Sequence, residues 1–221
     1  MAVVIGTNSG FCDTAPTDDP VGDSQGDIGN DAWVTHDTSP PTAAKITEIG
    51  WWADDNSNST NFEVGLYAAD GSVVPGEAGT LLHVERTNTY DGNAGWVRVT
   101  VDWAIDPSTE YWLAVQFDDV AQTITSDVSG AGGGTGWDTK ASQTTLTDPF
   151  GGGAISFDDR CGSIYVLWEE AAPAGTQNVH INIADTFRNA KNIYINVGDV
   201  WRNVNEAHIN IADTFRKVFK S

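Results

Sequence analysis

The amino-acid sequence predicts an all-β protein: a jelly-roll-like antiparallel β-sandwich followed by a small module of three β-hairpin repeats. Several segments alternate apolar and polar residues, which is the period of a strand with one buried face. Glycine and Asx clusters, such as residues 54–58 and 91–93, separate these segments and are typical of turns. A 14-residue unit is written three times near the C-terminus.

The sequence divides into four parts by composition. These are an N-terminal strand and polar arm that belong to the body (1–42), a β-sandwich (43–170), a linker (171–177) and the repeats (178–221). The N-terminal strand is predicted over residues 2–5, and the polar arm over residues 14–31. Such an arm either crosses to a neighbouring subunit or forms a surface loop.

Alternating segments in the body predict its main strands and its core. The strands are expected over residues 45–53, 62–68, 81–86, 97–103, 111–117 and 164–168. Two antiparallel sheets that pack face to face would bury one set of alternate side chains. The predicted inward residues are Phe62, Val64, Leu66, Ala68, Val97, Val99, Val101, Trp103, Tyr111, Leu113, Val115, Phe117, Ile164, Val166 and Trp168.

Each C-terminal repeat predicts a β-hairpin with a small residue and an aspartate at its turn. The turn is two or three residues long, and the apolar pattern favours three, which would set Ile183 beside Phe187. A lone hairpin of this length is unstable, so the repeats are expected to pair with one another or with neighbouring chains. The residues predicted to mediate oligomerisation or attachment are Ile181, Ile183, Phe187, Ile195, Val197, Trp201, Ile209, Ile211 and Phe215.

The charges are unevenly distributed. Residues 1–170 carry five basic and 27 acidic residues, a net charge of −22, whereas residues 171–221 carry a net charge of +2. Phosphate backbones repel such a body, so nucleic acid is not expected as a partner. The sequence has no 18-residue apolar run, which predicts no membrane insertion. The basic residues of the tail are either a docking element or solvated strand faces.

Two cysteines lie far apart in the sequence. Cys12 and Cys161 are either two free, partly buried thiols or one disulfide that ties the N-terminal arm to the last body strand. A disulfide closing so long a loop would stabilise the fold by roughly 3–5 kcal/mol on the chain-entropy model. The sequence leaves both alternatives open.

One segment suggests a calcium site. Asp54, Asn56 and Asn58 stand at the first, third and fifth places of an EF-hand-like loop, and Ca²⁺ prefers oxygen ligands. The sixth place is Ser59 instead of glycine, and the twelfth is Gly65 instead of glutamate. Asx residues also form turns by bonding their own backbone, which is the alternative interpretation. No other cofactor is predicted.

The sequence predicts a protein that is not an enzyme. It contains no nucleophile elbow, no phosphate-binding glycine loop before a helix and no paired Cys/His nucleophile. Glycoside hydrolysis needs only two carboxylates, but any pair chosen from 31 would be arbitrary. No catalytic residue is therefore predicted.

Tryptophan is abundant, with nine residues in the chain. Trp51, Trp52, Trp96 and Trp112 are candidates for binding a glycan, because sugars stack on aromatic faces while Asx side chains bond their hydroxyls. Strand alternation places Trp51 and Trp52 on opposite faces, and Trp96 and Trp112 opposite the aliphatic core residues. The favoured alternative is that these rings cover a sheet or fill a subunit interface, where aromatics are enriched.

Several segments resemble a β-sandwich of tailed-phage and prophage structural proteins: IGTNSGF (5–11), DTSPP (37–41), KITEIGWW (45–52), FEVGLYAADG (62–71), PGEAGTLL (75–82) and PSTEYWLAVQ (107–116). The repeat INVGDVWR (195–202) is similar to short hairpin repeats that end phage tail, fibre and appendage proteins. The resemblance implies a virion structural protein displayed outside the particle, as a tail or fibre appendage or a capsid decoration.

The resemblance also implies partners. Other virion proteins are expected, and homo-oligomers are common among phage appendages, with a trimer favoured by analogy. The alternative function is a carbohydrate-binding adhesin that recognises host surface glycans. The resemblance supplies no catalytic residues.

Overall fold

The computed structural model describes residues 2–20, 24–28, 31–53, 60–71, 77–118, 122–127, 136–151, 161–171, 193–197, 200–204, 206–211 and 214–220. The chain forms two compact units, a body (Met1–Glu170) and a C-terminal unit (Ala171–Ser221). Each is described by itself. Within these ranges no helix is long and apolar enough to cross a membrane.

The body is built from strands. They are β1 (Gly10–Cys12), β2 (Ser24–Ile28), β3 (Ala32–Thr38), β4 (Ala43–Ala53), β5 (Thr60–Ala69), β6 (Ala78–Tyr90), β7 (Gly95–Ala104), β8 (Glu110–Phe117), β9 (Gln122–Asp127), β10 (Trp137–Lys140), β11 (Cys161–Gly162) and β12 (Ile164–Glu170). The strands form a seven-stranded and a five-stranded sheet.

In the seven-stranded sheet, β4 pairs antiparallel with β12 and β7 and contacts β9 at Ala53. Strand β1 runs parallel to β12, while β2 and β11 pair antiparallel with β9. The five-stranded sheet has the order β10-β3-β8-β5-β6 and is antiparallel throughout. Side chains from both sheets form one core between them. The predicted all-β sandwich is confirmed.

Aromatic packing dominates the core. Trp51 is fully buried, and its ring centroid lies 4.5 Å from that of Phe117, 5.2 Å from Tyr90 and 5.7 Å from Phe62. All three contacts are edge-to-face, the arrangement that aromatic quadrupoles prefer. The predicted inward residues of β5, β7, β8 and β12 belong to this core or pack against it, except Ala68, which is half-buried.

A strap formed by residues 141–151 covers the outer face of the five-stranded sheet. Phe150 packs edge-to-face on Tyr67 at 5.3 Å, and the Tyr67 hydroxyl donates to the Thr147 carbonyl at 2.8 Å. Leu146 joins the same apolar cluster. Gly65 leaves room for it, because a Cβ there would lie 2.7 Å from the Leu146 side chain. The central strands β3, β5 and β8 are therefore largely buried on both faces.

One buried carboxylate fastens the strap. Glu63 accepts hydrogen bonds from the Leu146 amide at 2.7 Å and the Thr145 hydroxyl at 2.9 Å. The Arg86 guanidinium donates to the same carboxylate at 2.7 Å and so supplies the counter-charge. A buried carboxylate is tolerated only when it is paired and hydrogen-bonded in this way. Glu63 therefore acts in holding the fold together.

The N-terminus differs from the sequence prediction. No strand forms over residues 2–5: Ile5 makes only an isolated bridge to Ser9, and Gly6 has φ = 78°. The left-handed conformation at glycine turns the chain back on itself, and the first strand is β1. The polar arm contains β2, which pairs with β9 of its own chain. A further strand, β3, begins at Ala32, directly after the polar arm, where no strand was predicted.

The C-terminal unit contains two hairpins. They are formed by β13 (Ile193–Val197) with β14 (Val200–Val204), and by β15 (Glu206–Ile211) with β16 (Thr214–Lys220). They correspond to the second and third repeats, which were predicted to be hairpins. Ile181, Ile183 and Phe187 of the first repeat lie outside the described residues.

The favoured three-residue turn is wrong for both hairpins. Val197 pairs with Val200 and Ile211 with Thr214, so two residues separate the strands. Two-residue loops are the commonest hairpin connection because their twist matches that of the flanking strands. Trp201 consequently pairs with Asn196, and Ile195 pairs with Arg202.

Replacing Trp51 by alanine should destabilise the body much more than replacing its neighbour Trp52. Trp51→Ala removes a fully buried ring and leaves a cavity, a loss of about 3–5 kcal/mol in the free energy of unfolding. Trp52 is only half-buried, so Trp52→Ala should show a clearly smaller loss. Urea denaturation of both variants measures the difference. Equal losses would contradict the assignment of Trp51 to the core.

Asp138 should make stability depend on pH. Burial raises the pKa of Asp138 from 3.8 to about 6, opposed by a hydrogen bond from the Thr139 amide and supported by Glu77. The folded state then binds the proton more tightly than the unfolded state, so this contribution to stability falls as pH rises from about 4 to about 6. Above that range the loss stays constant.

Asp138→Asn removes the ionisable group and tests this dependence. The variant should gain roughly 1–2 kcal/mol of unfolding free energy at about pH 7 and little at about pH 4. Urea midpoints of wild type and variant at the two pH values give the comparison. A gain of the same size at both values would show that ionisation of Asp138 is not responsible.

Candidate functional site

The loop between β6 and β7 is held by its own hydrogen bonds. The buried Tyr90 donates its hydroxyl to the Asn93 carbonyl at 2.8 Å, and the Asn93 amide donates to the Asp91 carboxylate at 3.2 Å. Hydrogen bonds from the side chain and backbone of Asn93 lower the pKa of Asp91, which keeps this carboxylate ionised at neutral pH. Gly92 and Gly95 have φ = 86° and 142°, conformations that favour glycine.

A cavity of about 380 Å³ opens beside this loop. Among the described residues it is lined by residues 89–91 and 93–97, at the connection from β6 of the five-stranded sheet to β7 of the seven-stranded sheet. Trp96 supplies an aromatic wall, and Thr89, Asp91 and Asn93 supply polar groups. The volume falls in the range of small-molecule pockets, roughly 300–1,000 Å³. We call this cavity the β6–β7 pocket.

Trp96 is held rigidly on the outer face of the seven-stranded sheet. Its ring lies edge-to-face with Trp52 at 5.5 Å and with Tyr165 at 5.1 Å. The register pairs Trp52 directly with Trp96 across β4 and β7. The indole N–H of Trp96 donates to the Asp18 carbonyl at 3.0 Å. The ring is half-buried, so part of it stays accessible from the pocket.

A polar cluster lies next to these rings. The Tyr165 hydroxyl donates to Glu48 at 2.5 Å, and burial, followed by the Glu48 carboxylate, raises the pKa of Tyr165. Arg98 approaches Glu48 at 3.9 Å and donates to the Pro16 carbonyl at 2.6 Å. A Cβ on Gly50 would lie 2.5 Å from the Tyr165 ring, so glycine is required at this crossing. Arg98 and Trp96 together anchor residues 16–18 to the sheet.

The four tryptophans predicted to bind a glycan do not form one site. Trp51 lies in the core, as the opposite-face prediction requires, and is unavailable to a ligand. Trp112 does lie opposite the aliphatic core residues, but it is fully buried against Ala114 and the strap. Both are therefore wrong as glycan-binding residues. Of the four, only Trp52 and Trp96 contact each other, and Trp96 lines the β6–β7 pocket.

The predicted calcium ligands Asp54, Asn56 and Asn58 lie outside the described residues. The residues that flank them are described: Ala53 pairs with Gly95, and Thr60 pairs with Tyr90. Among the described residues, no group of three acidic, histidine or cysteine side chains is placed to hold a metal ion. Calcium binding at residues 54–58 stays a prediction.

Both cysteines are buried free thiols. The Cys12 thiol donates to the Ser9 carbonyl at 3.5 Å, and the Cys161 thiol donates to the Val3 carbonyl at 3.7 Å. Burial raises the pKa of Cys12 to about 12, with Asp37 and Asp13 adding to the shift against a hydrogen bond to Ser9. Of the two alternatives left by the sequence, the structure has the free thiols and not the disulfide.

The sequence did not identify Thr89, Asp91 and Asn93 as residues that line a pocket. The cluster at 91–93 was recognised only as a turn, because its composition is that of any Asx-rich turn. The neighbouring Trp96 was a candidate for glycan binding. Asp91 and Asn93 lie within five positions of this outward tryptophan, and this spacing was the signal in the sequence that could have indicated the pocket. The cavity itself depends on how the loop folds back on Tyr90.

Comparison with known proteins assigns no identity. No protein-family model matches the chain, and a search of curated proteins returns no match. The resemblance to phage structural proteins therefore stays a prediction.

Arg98→Met should loosen residues 14–18 without unfolding the body. The variant keeps an apolar stem but loses the hydrogen bond to the Pro16 carbonyl. Amide hydrogen exchange of residues 14–18 should then accelerate by about tenfold, because their local opening becomes easier. Lys45→Met is the matched control, since Lys45 bridges Asp102 and Glu169 on the same sheet. Equal acceleration in both variants would contradict the anchoring role.

Proposed function

We propose that the protein is a non-enzymatic structural component of a phage particle, displayed on its outside. Its body is the exposed part, as a tail or fibre appendage or a capsid decoration. The C-terminal repeats serve in attachment or oligomerisation. One observation carries the proposal: the second and third repeats form hairpins whose four residue pairs nearest the turn correspond, in a compact unit distinct from the body. The resemblance of the body and of the repeat to phage structural proteins supports it.

The four pairs nearest the turn agree at an offset of fourteen residues, whereas Ile193 pairs with Val204 and the equivalent Ala207 pairs with Phe219 beyond a register shift. Ile195 pairs with Arg202 and Ile209 with Arg216, and the adjacent pairs correspond in the same way. The repeated unit is therefore a repeated structure, as in proteins that stack identical supersecondary units. A two-stranded hairpin of five to seven residues per strand is marginal in water. Such units need partners, either one another, other copies of the chain or other virion proteins.

The charge distribution supports display of the body. Each of its four described basic residues has an internal partner. Lys45 binds Asp102 and Glu169, Arg86 binds Glu63, Arg98 binds Glu48, and Lys140 binds the strap at Thr147. The remaining surface is rich in carboxylates, so bodies repel one another at low salt. Association through the more basic repeats is consistent with this difference.

The solution mass of the full chain, compared with a chain ending at Ala174, tests the role of the repeats. We expect the full chain to form a homo-oligomer, with a trimer favoured by analogy, and the shortened chain to be a monomer. Light scattering measures both masses. Two monomers would rule out self-association, and the repeats would then have to dock on a different protein.

Point variants in the full chain refine this test. Ile195→Asp with Ile209→Asp adds two charges at equivalent aliphatic positions of consecutive repeats and should dissociate the oligomer. Thr87→Asp with Thr100→Asp adds the same charges at exposed positions of the body, outside the repeats, and should leave the mass unchanged. Dissociation by both pairs would indicate a charge effect alone and contradict a packed interface at the aliphatic positions.

Membership of the virion requires a separate measurement. Mass spectrometry of phage particles purified from the source of the chain should detect this protein in a fixed ratio to the major capsid protein. Its absence from purified particles would overturn the proposal, whatever its oligomeric state.

A further inference from the structure

The β6–β7 pocket carries an inference beyond the structural role, and it does not depend on that role. The cavity of about 380 Å³ is large enough for one or two sugar rings and lies at the β6–β7 connection of the body. Within the loop, the Asn93 amide donates to the Asp91 carboxylate and the Asn93 carbonyl accepts from the Tyr90 hydroxyl. The Asp91 carboxylate accepts hydrogen bonds from Asn93 but has lone pairs beyond those bonds, and the Asn93 side-chain oxygen is an acceptor, so both residues can bond a ligand.

The wall of the pocket has the chemistry that recognises a hydroxylated ring. Trp96 offers an aromatic surface on which the C–H face of a sugar can stack. Asp91 and Asn93 offer carboxylate and amide oxygens as acceptors for hydroxyls, and Thr89 offers a hydroxyl that both donates and accepts. Apolar stacking on one side and hydrogen bonding on the other fit a ring that is apolar on its face and polar at its edge.

The charge of the pocket selects against anionic ligands. None of the lining residues that the structure describes is basic. Asp91 carries a negative charge at neutral pH, and hydrogen bonds from Asn93 lower its pKa further. The nearest basic side chain on the strand, Arg98, is committed to Glu48 and the Pro16 carbonyl. The body also carries a net charge of −22. Phosphorylated and sialylated ligands would be repelled.

A cationic ligand fits less well than a neutral sugar. Quaternary ammonium groups are bound by cages of several aromatic walls. Trp52 and Tyr165 contact Trp96 but do not line the pocket. Among the described residues Tyr90 is the other aromatic lining residue, but it is 1% exposed and its hydroxyl donates to the Asn93 carbonyl. Trp96 therefore acts as a single stacking platform.

The platform is preorganised. Trp52, Tyr165 and the Asp18 carbonyl fix the Trp96 ring, and the hydrogen bonds between Tyr90, Asn93 and Asp91 fix the loop. Binding then orders few additional side chains, which reduces its entropic cost. We propose that the β6–β7 pocket binds one neutral saccharide unit, with Trp96 stacking on the ring and Asp91 and Asn93 accepting hydrogen bonds from adjacent hydroxyls.

The full chain should be tested against methyl glycosides of glucose, galactose, mannose, N-acetylglucosamine and rhamnose, with sialyllactose and choline as charged probes. Saturation-transfer NMR identifies binders, and calorimetric titration gives the dissociation constant. At least one neutral glycoside should bind saturably at millimolar concentrations. Trp96→Ala and Asn93→Ala should each weaken it at least tenfold. Thr100→Ala, at an exposed position of the same strand outside the pocket, should leave it unchanged.

Asn93→Ala keeps the test valid if Trp96→Ala disturbs the fold, and Trp96→Phe, which retains an aromatic face, should restore most of the binding. Three results would overturn the proposal: no saturable binding of any neutral glycoside, binding of sialyllactose or choline alone, or binding that all variants retain. Because the particle and mass measurements do not involve this pocket, failure here leaves the structural role untouched, and the reverse also holds.

Discussion

The alternation of side chains along β4 is the constraint on which most of the body depends. This strand pairs with β7 on one edge and with β12 and β9 on the other, so its two faces set what the whole sheet can bury and present. Its inward ring, Trp51, gathers aromatic side chains from the opposite sheet. Its outward ring, Trp52, packs edge-to-face against Trp96 beside the β6–β7 pocket. A shift of one residue in register would exchange these roles.

The two sheets are covered differently on the outside. The strap covers the central strands of the five-stranded sheet with an apolar cluster and with the ion pair of Glu63 and Arg86. The seven-stranded sheet instead carries aromatic and charged residues outward, and in the described part of the chain residues 16–18 contact them. Recognition by the body is therefore expected on the seven-stranded side.

Sequence reasoning succeeded where alternation was long and apolar, as in β5, β7, β8 and β12, because the period of two is visible over seven or more residues. It failed for β1, β2 and β9 to β11, which are short and mostly polar and are held by pairing with distant strands. Trp112 could not be recognised as buried, because the strap that covers it is distant in sequence. The pocket was missed for a related reason: Trp96 was visible as an outward ring, but the cavity beside it is a property of the folded loop.

The four residue pairs nearest the turn are the same in both hairpins at an offset of fourteen residues, so the C-terminal unit has a fixed structural period. Because each copy occupies fourteen residues and closes in the same way, a gain or loss of whole copies would change the length of the array and keep its strands in phase. An insertion of any other length would shift the strand positions of every later copy relative to the 14-residue period. Homologous recombination between near-identical copies would thus be an evolutionary route to longer or shorter arrays on an unchanged body.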